Sequence, residues 1–327
     1  MRFTSFRFLR SKKAFSLVEL SVVIIIVGIF IAGVTQGAKM VNTFRLQSAQ
    51  TLTLSSPVIS TAGLVLWLEP TMPESFLDVE SVEGSQITKW IDRNPQATVK
   101  LSANGSASAG IVYKEQSDIY GLPAVAFSGS SSAVLTLNNG SSNIPIITPN
   151  SAYTLFVVAK LSDDSSSALK TVFSNGDSSG WGYGVSGSQN NRSRNLIFSG
   201  SSDVTSATAN ATTRPEVISA LYTGGAGGNL QLFTNGVGNA GTGEAGTSES
   251  LSASTVTAAS PTSAFYVGNK SSAAPWTGLI SEIIIFNRTL SAKERNSIEL
   301  YLGQKYNIKT ATTGNVEEYS RRNSNSR

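Results

Sequence analysis

The chain contains no cysteine and no histidine. The first absence excludes disulfides, thiolate metal sites and thiol nucleophiles. The second excludes serine–histidine–aspartate triads, histidine-ligated zinc and imidazole acid–base chemistry. Charge is scarce as well: 14% of the 327 residues are Asp, Glu, Lys or Arg. What is there instead is 40% apolar residues, 29 glycines and long Ser/Thr/Ala/Asn stretches. That composition suits an exported, β-rich chain with room for one large domain or two smaller ones.

The formal net charge of +4 is local. Arg2, Arg7, Arg10, Lys12 and Lys13 put 5 positive charges into the first 14 residues, and the remainder holds 20 basic against 21 acidic residues. No basic footprint for a nucleic acid is left.

Behind the basic stretch comes KKAFSLVELSVVIIIVGIFIAGV, Lys12 to Val34. From Phe15 onward only Ser16, Glu19, Ser21 and two glycines interrupt the apolar run. Twenty helical residues span roughly 30 Å, the hydrocarbon thickness. Positive charge ahead of the run keeps that end cytoplasmic. Glu19 is out of place, because a carboxylate near the bilayer centre costs about 2.5–3.5 kcal/mol and marks a functional position by default. A secretory signal peptide is one plain reading, but VTQGAK puts Gln36 where a small residue is wanted ahead of Ala38. A plain signal anchor is another, with Glu19 tolerated near the helix start by the macrodipole.

The order of residues in KKAFSLVEL resembles the processing site of type IV prepilins and pseudopilins. The resemblance covers roughly the first 40 to 50 residues. It implies a cut between Ala14 and Phe15 by a prepilin peptidase, which also N-methylates Phe15. It makes Glu19 the fifth mature residue, an assembly group that pairs with the Phe15 amine of a neighbouring subunit. The residue before the cut is usually glycine in that family, and Ala14 stands there. The implied partners are the peptidase/methyltransferase, other pilin or pseudopilin subunits and the inner membrane.

The helix is expected to continue through GAKMVNTFRLQSAQTLTL, where Met40, Val41, Phe44 and Ser48 fall near a 3–4 spacing. Pro57 should stop it. Such a stalk of about 38 residues is roughly 57 Å long. Gly28, Gly33 and Gly37 fit close helix packing or local melting as well as they fit ordinary membrane-helix glycines.

From Gly63 the period changes. GLVLWLE (63–69), ITKWID (87–92), PAVAF (123–127), AVLTL (133–137), YTLFVVAK (153–160) and KTVFS (170–174) read as strands. So do NLIFS (195–199), EVISALY (216–222), NLQLFTNG (229–236), AFYVG (264–268) and GLISEIIIF (278–286). Regular short strands between turn signals predict an all-β sandwich. Residues 238–262 read as a long polar surface connection and 199–213 as a low-complexity patch. Ser291 to Glu294 fits a capping box opening a helix whose face is Ile298, Tyr301 and Leu302 and which fades near Tyr306 or Asn307. The expected fold is mainly β: a long N-terminal membrane and stalk helix, an antiparallel sandwich and a short C-terminal helix. The expected divisions are a cleaved leader at 1–14, the helix at 15–56, the sandwich at 57–310 and a disordered polar tail at 311–327.

The order of these strands, closing on WTGLISEIIIFNRTLSAKER, resembles the concanavalin A-like, laminin-G-like jelly-roll family over residues 60 to 308. That resemblance implies two curved antiparallel sheets, often with a carbohydrate or protein ligand. It leaves function open, since the fold also serves purely structural roles. Some of these relatives hydrolyse glucans with paired carboxylates on one strand, and retaining hydrolysis holds such a pair about 5–5.5 Å apart. The best local match starts at Glu282, but Ile284 and Asn287 stand where further acids are needed. Glu282 therefore reads as a solvent-facing strand residue, and no enzyme activity is expected.

Trp181 and Tyr183 are candidates for stacking on a sugar, or else core aromatics. Trp67, Trp90 and Trp276 read as core. Asp163, Asp164 and Asp177, with Asn175, lie in adjacent loops and could contribute oxygens to Ca²⁺; no other cofactor is expected. Together these readings predict a minor or tip pilin-like subunit, held in a bacterial inner membrane and then moved into a surface filament. Its jelly roll would present a face to a glycan or surface protein. The alternatives are a periplasmic pseudopilin of type II secretion and, from another class, a membrane-tethered carbohydrate-active enzyme.

Overall fold

The computed structural model describes residues 17–138, 151–162, 168–176, 181–189, 192–199, 202–205, 213–225, 229–238, 251–252, 264–270 and 274–311. The chain divides into two compact units, Met1–Phe44 and Arg45–Arg327.

In the first unit the apolar run is helical, as part of α1 (Leu17–Leu54). Its side chains are exposed on every side from Leu17 to Val34, and its length and composition suffice to cross a membrane. The hydroxyls within it fold back on the backbone: Ser21 donates to the Val18 carbonyl at 2.8 Å and Thr35 to that of Ile31 at 3.0 Å. Hydrocarbon offers no partner to a polar group, so these local bonds let the residues sit in an apolar helix.

The second unit takes in the last turns of α1, ahead of the division expected at residue 57. The reason is packing: Ala49 and Thr53 are buried, and the Gln50 amide donates to the Thr71 carbonyl at 2.8 Å. The helix ends at Leu54, and Pro57 opens a separate short helix, α2 (Pro57–Ser60). Ser56, before the proline, is extended, as the ring of the following residue requires.

The strands of the sandwich are β1 (Leu64–Leu68), β2 (Lys89–Ile91), β3 (Ser102–Asn104), β4 (Ile111–Lys114), β5 (Ala124–Ser128) and β6 (Leu135–Asn138). They continue with β7 (Tyr153–Leu161), β8 (Lys170–Asn175), β9 (Trp181–Gln189), β10 (Arg192–Ser199), β11 (Ser202–Thr205) and β12 (Glu216–Tyr222). The last are β13 (Asn229–Thr234), β14 (Val237–Gly238), β15 (Leu251–Ser252), β16 (Phe265–Val267) and β17 (Thr277–Phe286), followed by α3 (Ala292–Tyr306). All eleven runs expected as strands contain one. The polar stretches 238–262 and 312–327 lie almost wholly outside the described residues.

Every pairing is antiparallel. One sheet runs β14-β13-β12-β7-β17-β5-β4, with β1 also paired to β17 and β15 to β13; the other runs β11-β10-β9-β8-β16-β6-β3-β2. Asn235 and Gly236, at φ 52° and 77°, make the tight turn between β13 and β14. Two successive positive φ values match the twist of a two-residue hairpin. At Gly268, φ is +83° and an added Cβ would come within 2.1 Å of the Phe127 ring, so only glycine fits.

The main core lies between the sheets, with Trp90, Phe173, Phe265, Trp276, Ile283 and Ile285 among its members. A second core covers the opposite face of the first sheet. There Trp67, Phe156, Ile284 and Phe286 pack against Ala49 of α1 and Ile298, Tyr301, Leu302 and Tyr306 of α3. β17 is thus buried on both faces, which overturns the solvent-facing placement of Glu282: its side chain is 0% exposed. The covering helix α3 follows β17 in sequence but folds back over it, a tertiary fact that strand alternation does not contain.

The helix α3 begins as expected. The Ser291 hydroxyl accepts the Glu294 N–H at 3.3 Å, while Glu294 accepts the Ser291 N–H at 2.9 Å. It ends at Tyr306 with Asn307 in the left-handed region, its N–H bonded to the Gly303 carbonyl. That is a common helix stop for asparagine.

Candidate functional site

The N-terminal segment is the first candidate. Glu19 lies in the first turn of α1 with an exposed side chain, surrounded along the helix by exposed Leu17, Val18, Leu20, Val22 and Val23. Ala14 and Phe15 lie outside the described residues.

The second candidate emerges only from the fold. Burying Glu282 on β17 requires partners, and four donors supply them. Trp67 Nε1 and the Tyr301 hydroxyl donate to its Oε1 at 2.7 and 3.0 Å; Lys305 Nζ and the Tyr306 hydroxyl donate to its Oε2 at 2.9 and 2.8 Å. The same Lys305 Nζ lies 2.9 Å from Glu69 Oε2, and all three charged side chains are 0% exposed. Glu69, just past β1, also accepts the Thr71 N–H and hydroxyl at 3.0 and 2.6 Å and the Met72 N–H at 2.8 Å. The Tyr301 hydroxyl lies 3.4 Å from that of Thr53 in the last turns of α1. One polar network therefore joins α1, β1, β17 and α3.

Its electrostatics follow from one ammonium between two carboxylates. Burial alone pushes the Glu69 carboxyl up, but Lys305 and the Thr71 bonds outweigh it and hold the group below its ordinary 4.5. Burial pulls Lys305 down, yet Glu282 and Glu69 win and raise it well above 10.5. Burial, then the Glu282 charge, push the Tyr301 and Tyr306 hydroxyls well above their ordinary range, so both remain donors. Two carboxylates do meet here, as a glycosidase needs, but they are sealed under α3 and each holds its hydrogen-bond donors already. The set has no open face for a substrate, and its geometry is that of a clamp.

The network escaped the reading of the sequence, although one signal was present. Lys305 continues the 298–301–302 apolar face of α3, and a charge on an apolar face needs a buried partner.

Trp181 and Tyr183 were candidates for a sugar, and the structure puts both rings inside the sandwich at 4% and 3% exposure. Trp181 stacks on Tyr153 at 4.1 Å between centroids and meets Phe173 edge-on at 5.9 Å. Gly182 and Gly184 alternate with them on the opposite side of β9, so the pleat sends both aromatics inward. Neither ring has a free face for a sugar. Trp67, Trp90 and Trp276 are buried, as expected. Asp163, Asp164 and Asp177 lie outside the described residues, and Asn175 is buried at the end of β8. Among the described residues, no three Asp or Glu side chains gather as a metal site.

No curated protein matches the chain. Among solved structures it is similar to the binding domain of Paraclostridial Mosquitocidal Protein 1, at 13% identity and a TM-score of 0.46, over 73% of this chain and 52% of that one. The chain thus spans about half the length of that relative. It is also similar to domain 4 of AbnA, an extracellular arabinanase of Geobacillus stearothermophilus, at 14% identity and a TM-score of 0.42, over 73% of this chain and 98% of that one. A third likeness is to Trypanosoma rangeli sialidase, at 16% identity and a TM-score of 0.44, covering 75% and 33%. Within the sequence itself, the prokaryotic N-terminal methylation motif matches residues 9–35. The chain therefore carries the prepilin-type methylation motif, set on the apolar N-terminal helix that precedes its β-sandwich.

Proposed function

We propose that this protein is a low-copy or tip subunit of a type IV pilus-like filament, whose β-sandwich head binds a glycan or a surface protein. The observation that carries the reading is the methylation motif at 9–35 with Glu19 inside its apolar run. The motif implies a prepilin peptidase and other pilin subunits as partners, and the helix fits anchoring in a membrane before assembly. In the proposed mechanism, cleavage before Phe15 frees an amine, and Glu19 of one copy pairs with that amine on the next. Desolvation makes a carboxylate costly in an apolar setting and a facing ammonium offsets that cost, so the pair sets the register of assembly. The size of the head supports the low copy number. The unit from Arg45 to Arg327 would have to be accommodated at every step of a filament made of this subunit alone.

The test is quantitative mass spectrometry of filaments sheared from cells. The expected result is an N-terminal peptide beginning at N-methyl-Phe15, present well below the amount of the main subunit. Equal abundance overturns the low-copy reading. A processed peptide confined to the periplasm assigns the protein to a secretion pseudopilus. A chain beginning after Ala38 removes the filament reading altogether.

A further inference from the structure

The loop from Leu77 to Gly84 inverts the usual polarity of a surface. Two of its acids hold it, Glu80 from the inside and Glu83 at the surface. Glu80 is buried, and its carboxylate accepts the Thr88 N–H at 3.1 Å, the Thr88 hydroxyl and the Lys89 N–H at 3.2 Å. Glu83 accepts the Glu115 N–H at 2.7 Å and pairs with Lys114 at 3.0 Å. Gly84 N–H closes onto the Tyr113 carbonyl at 3.0 Å. The aliphatic side chains meanwhile point outward: Val79 is 78% exposed and Val82 57%, with Leu77 beside them in sequence at 41%. A loop pinned this firmly does not expose valines through slack. A fixed apolar knob on a soluble unit is the mark of an interaction surface.

The chemistry of the knob narrows its partner. Asp78 sets a negative charge beside Val79, while that of Glu83 is offset by Lys114; the net charge disfavours an anionic lipid surface. Aliphatic tips lack the aromatic face that suits a sugar. A protein pocket with a cation in its lining fits, and this chain has one. A cavity of about 120 Å³ is lined by Thr53, Leu54, Ile59, Trp67, Met72, Pro95 and Arg93, all in the same unit. An engineered cavity of about 150 Å³ holds a benzene molecule, so this one suits a single aliphatic side chain. Arg93 pairs at 3.2 Å with Glu74, which is 66% exposed and easily exchanged for another carboxylate. Among the described residues no cation pairs with Asp78.

We infer that the Val79 knob of one copy seats in the Arg93 pocket of a second copy, with Asp78 facing Arg93. Such a contact joins two different surfaces, so it need not close into a dimer and can propagate along a filament. The inference rests on the filament reading. It also selects a low-copy subunit in consecutive positions over a solitary tip.

The absence of native cysteine makes the test direct. Full-length chains carrying Val79→Cys and Pro95→Cys are co-expressed in membranes and mildly oxidised. A disulfide forms only where two Cα atoms approach within roughly 7 Å. The expected result is a disulfide-linked dimer from the mixed pair and none when Val79→Cys is paired with the exposed control Ser132→Cys. Arg93→Glu on the pocket copy should cut the dimer about tenfold, and Asp78→Arg on the knob copy should restore it. The inference fails if the mixed pair gives no more dimer than the control, if Val79→Cys links to itself equally well, or if the charge exchange does not rescue. Crosslinking is read in the membrane pool and needs no processing at Phe15. Its failure is therefore distinct from failure of the filament reading, which the N-terminal peptide reports.

Discussion

At the scale of single residues, Lys305 carries the most consequence. Its ammonium lies 2.9 Å from each of two fully buried carboxylates, Glu69 and Glu282. Removing one partner of a buried ion pair leaves an uncompensated charge and costs about 3–5 kcal/mol, whereas removing the whole set can be neutral. Lys305→Met should therefore lower the unfolding free energy by about that amount, and adding Glu69→Gln and Glu282→Gln should recover part of it. Urea unfolding of the detergent-solubilised chain measures both; an unchanged midpoint in Lys305→Met would contradict the clamp. The pH dependence has a definite sign. Glu69 titrates lower when folded than its ordinary 4.5, so its contribution is present above 4.5 and lost as pH falls through the lower folded value. Lys305 titrates above its ordinary 10.5 when folded, so its contribution holds below 10.5 and is lost only as pH rises further. Across the neutral range neither the Glu69 nor the Lys305 contribution is lost.

At the scale of elements, α3 shows why some structure is legible in sequence and some is not. Its start is written in four consecutive residues, and its stop in Asn307 just past the last turn. Substituting an N-cap serine costs about 1 kcal/mol, so Ser291→Ala should destabilise the chain by that much at neutral pH. Glu294 adds a pH signature. Its bond to Arg288, then those to Ser291, pull its carboxyl from 4.5 to about 2. Stabilisation from that group is present above 4.5 and fades as pH falls toward 2. A Ser291→Ala chain whose Glu294 carboxyl titrates at an unchanged pH by NMR would show that the box is idle. The strands were legible for the same local reason, since alternation and turn residues sit within a few positions. β3, β4, β11, β14 and β15 were not, being runs of at most 4 residues with little alternation to read. Nor was the burial of Glu282 legible, because its partners Lys305 and Trp67 are 23 and 215 residues away. For Trp181 and Tyr183, alternation placed both on one face of a strand, but only the packed second sheet says which face is inside.

At the scale of the whole molecule, Glu19 links the cost of one residue to the behaviour of many copies. In an apolar membrane helix a carboxylate is a liability: a charge at the centre costs about 2.5–3.5 kcal/mol, and Glu19, in the first turn of α1, carries part of that cost. Its retention makes sense only if some state of the protein repays that cost, and the proposed state is the filament, where the carboxylate meets the Phe15 amine of a neighbour. The two steps therefore respond oppositely to Glu19→Ala. Membrane insertion should be unchanged or improved, while entry into filaments in competition with wild-type copies should fall at least tenfold. Comparing the variant-to-wild-type ratio in the membrane pool with that in sheared filaments reads both steps from one culture. Equal ratios would mean that Glu19 has no part in assembly and that register is set elsewhere, for instance by contacts between heads. A ratio that falls already in the membrane pool would place the role of Glu19 in insertion or processing. Only a loss confined to the filament fraction fits a carboxylate whose role is to meet the amine of the next copy.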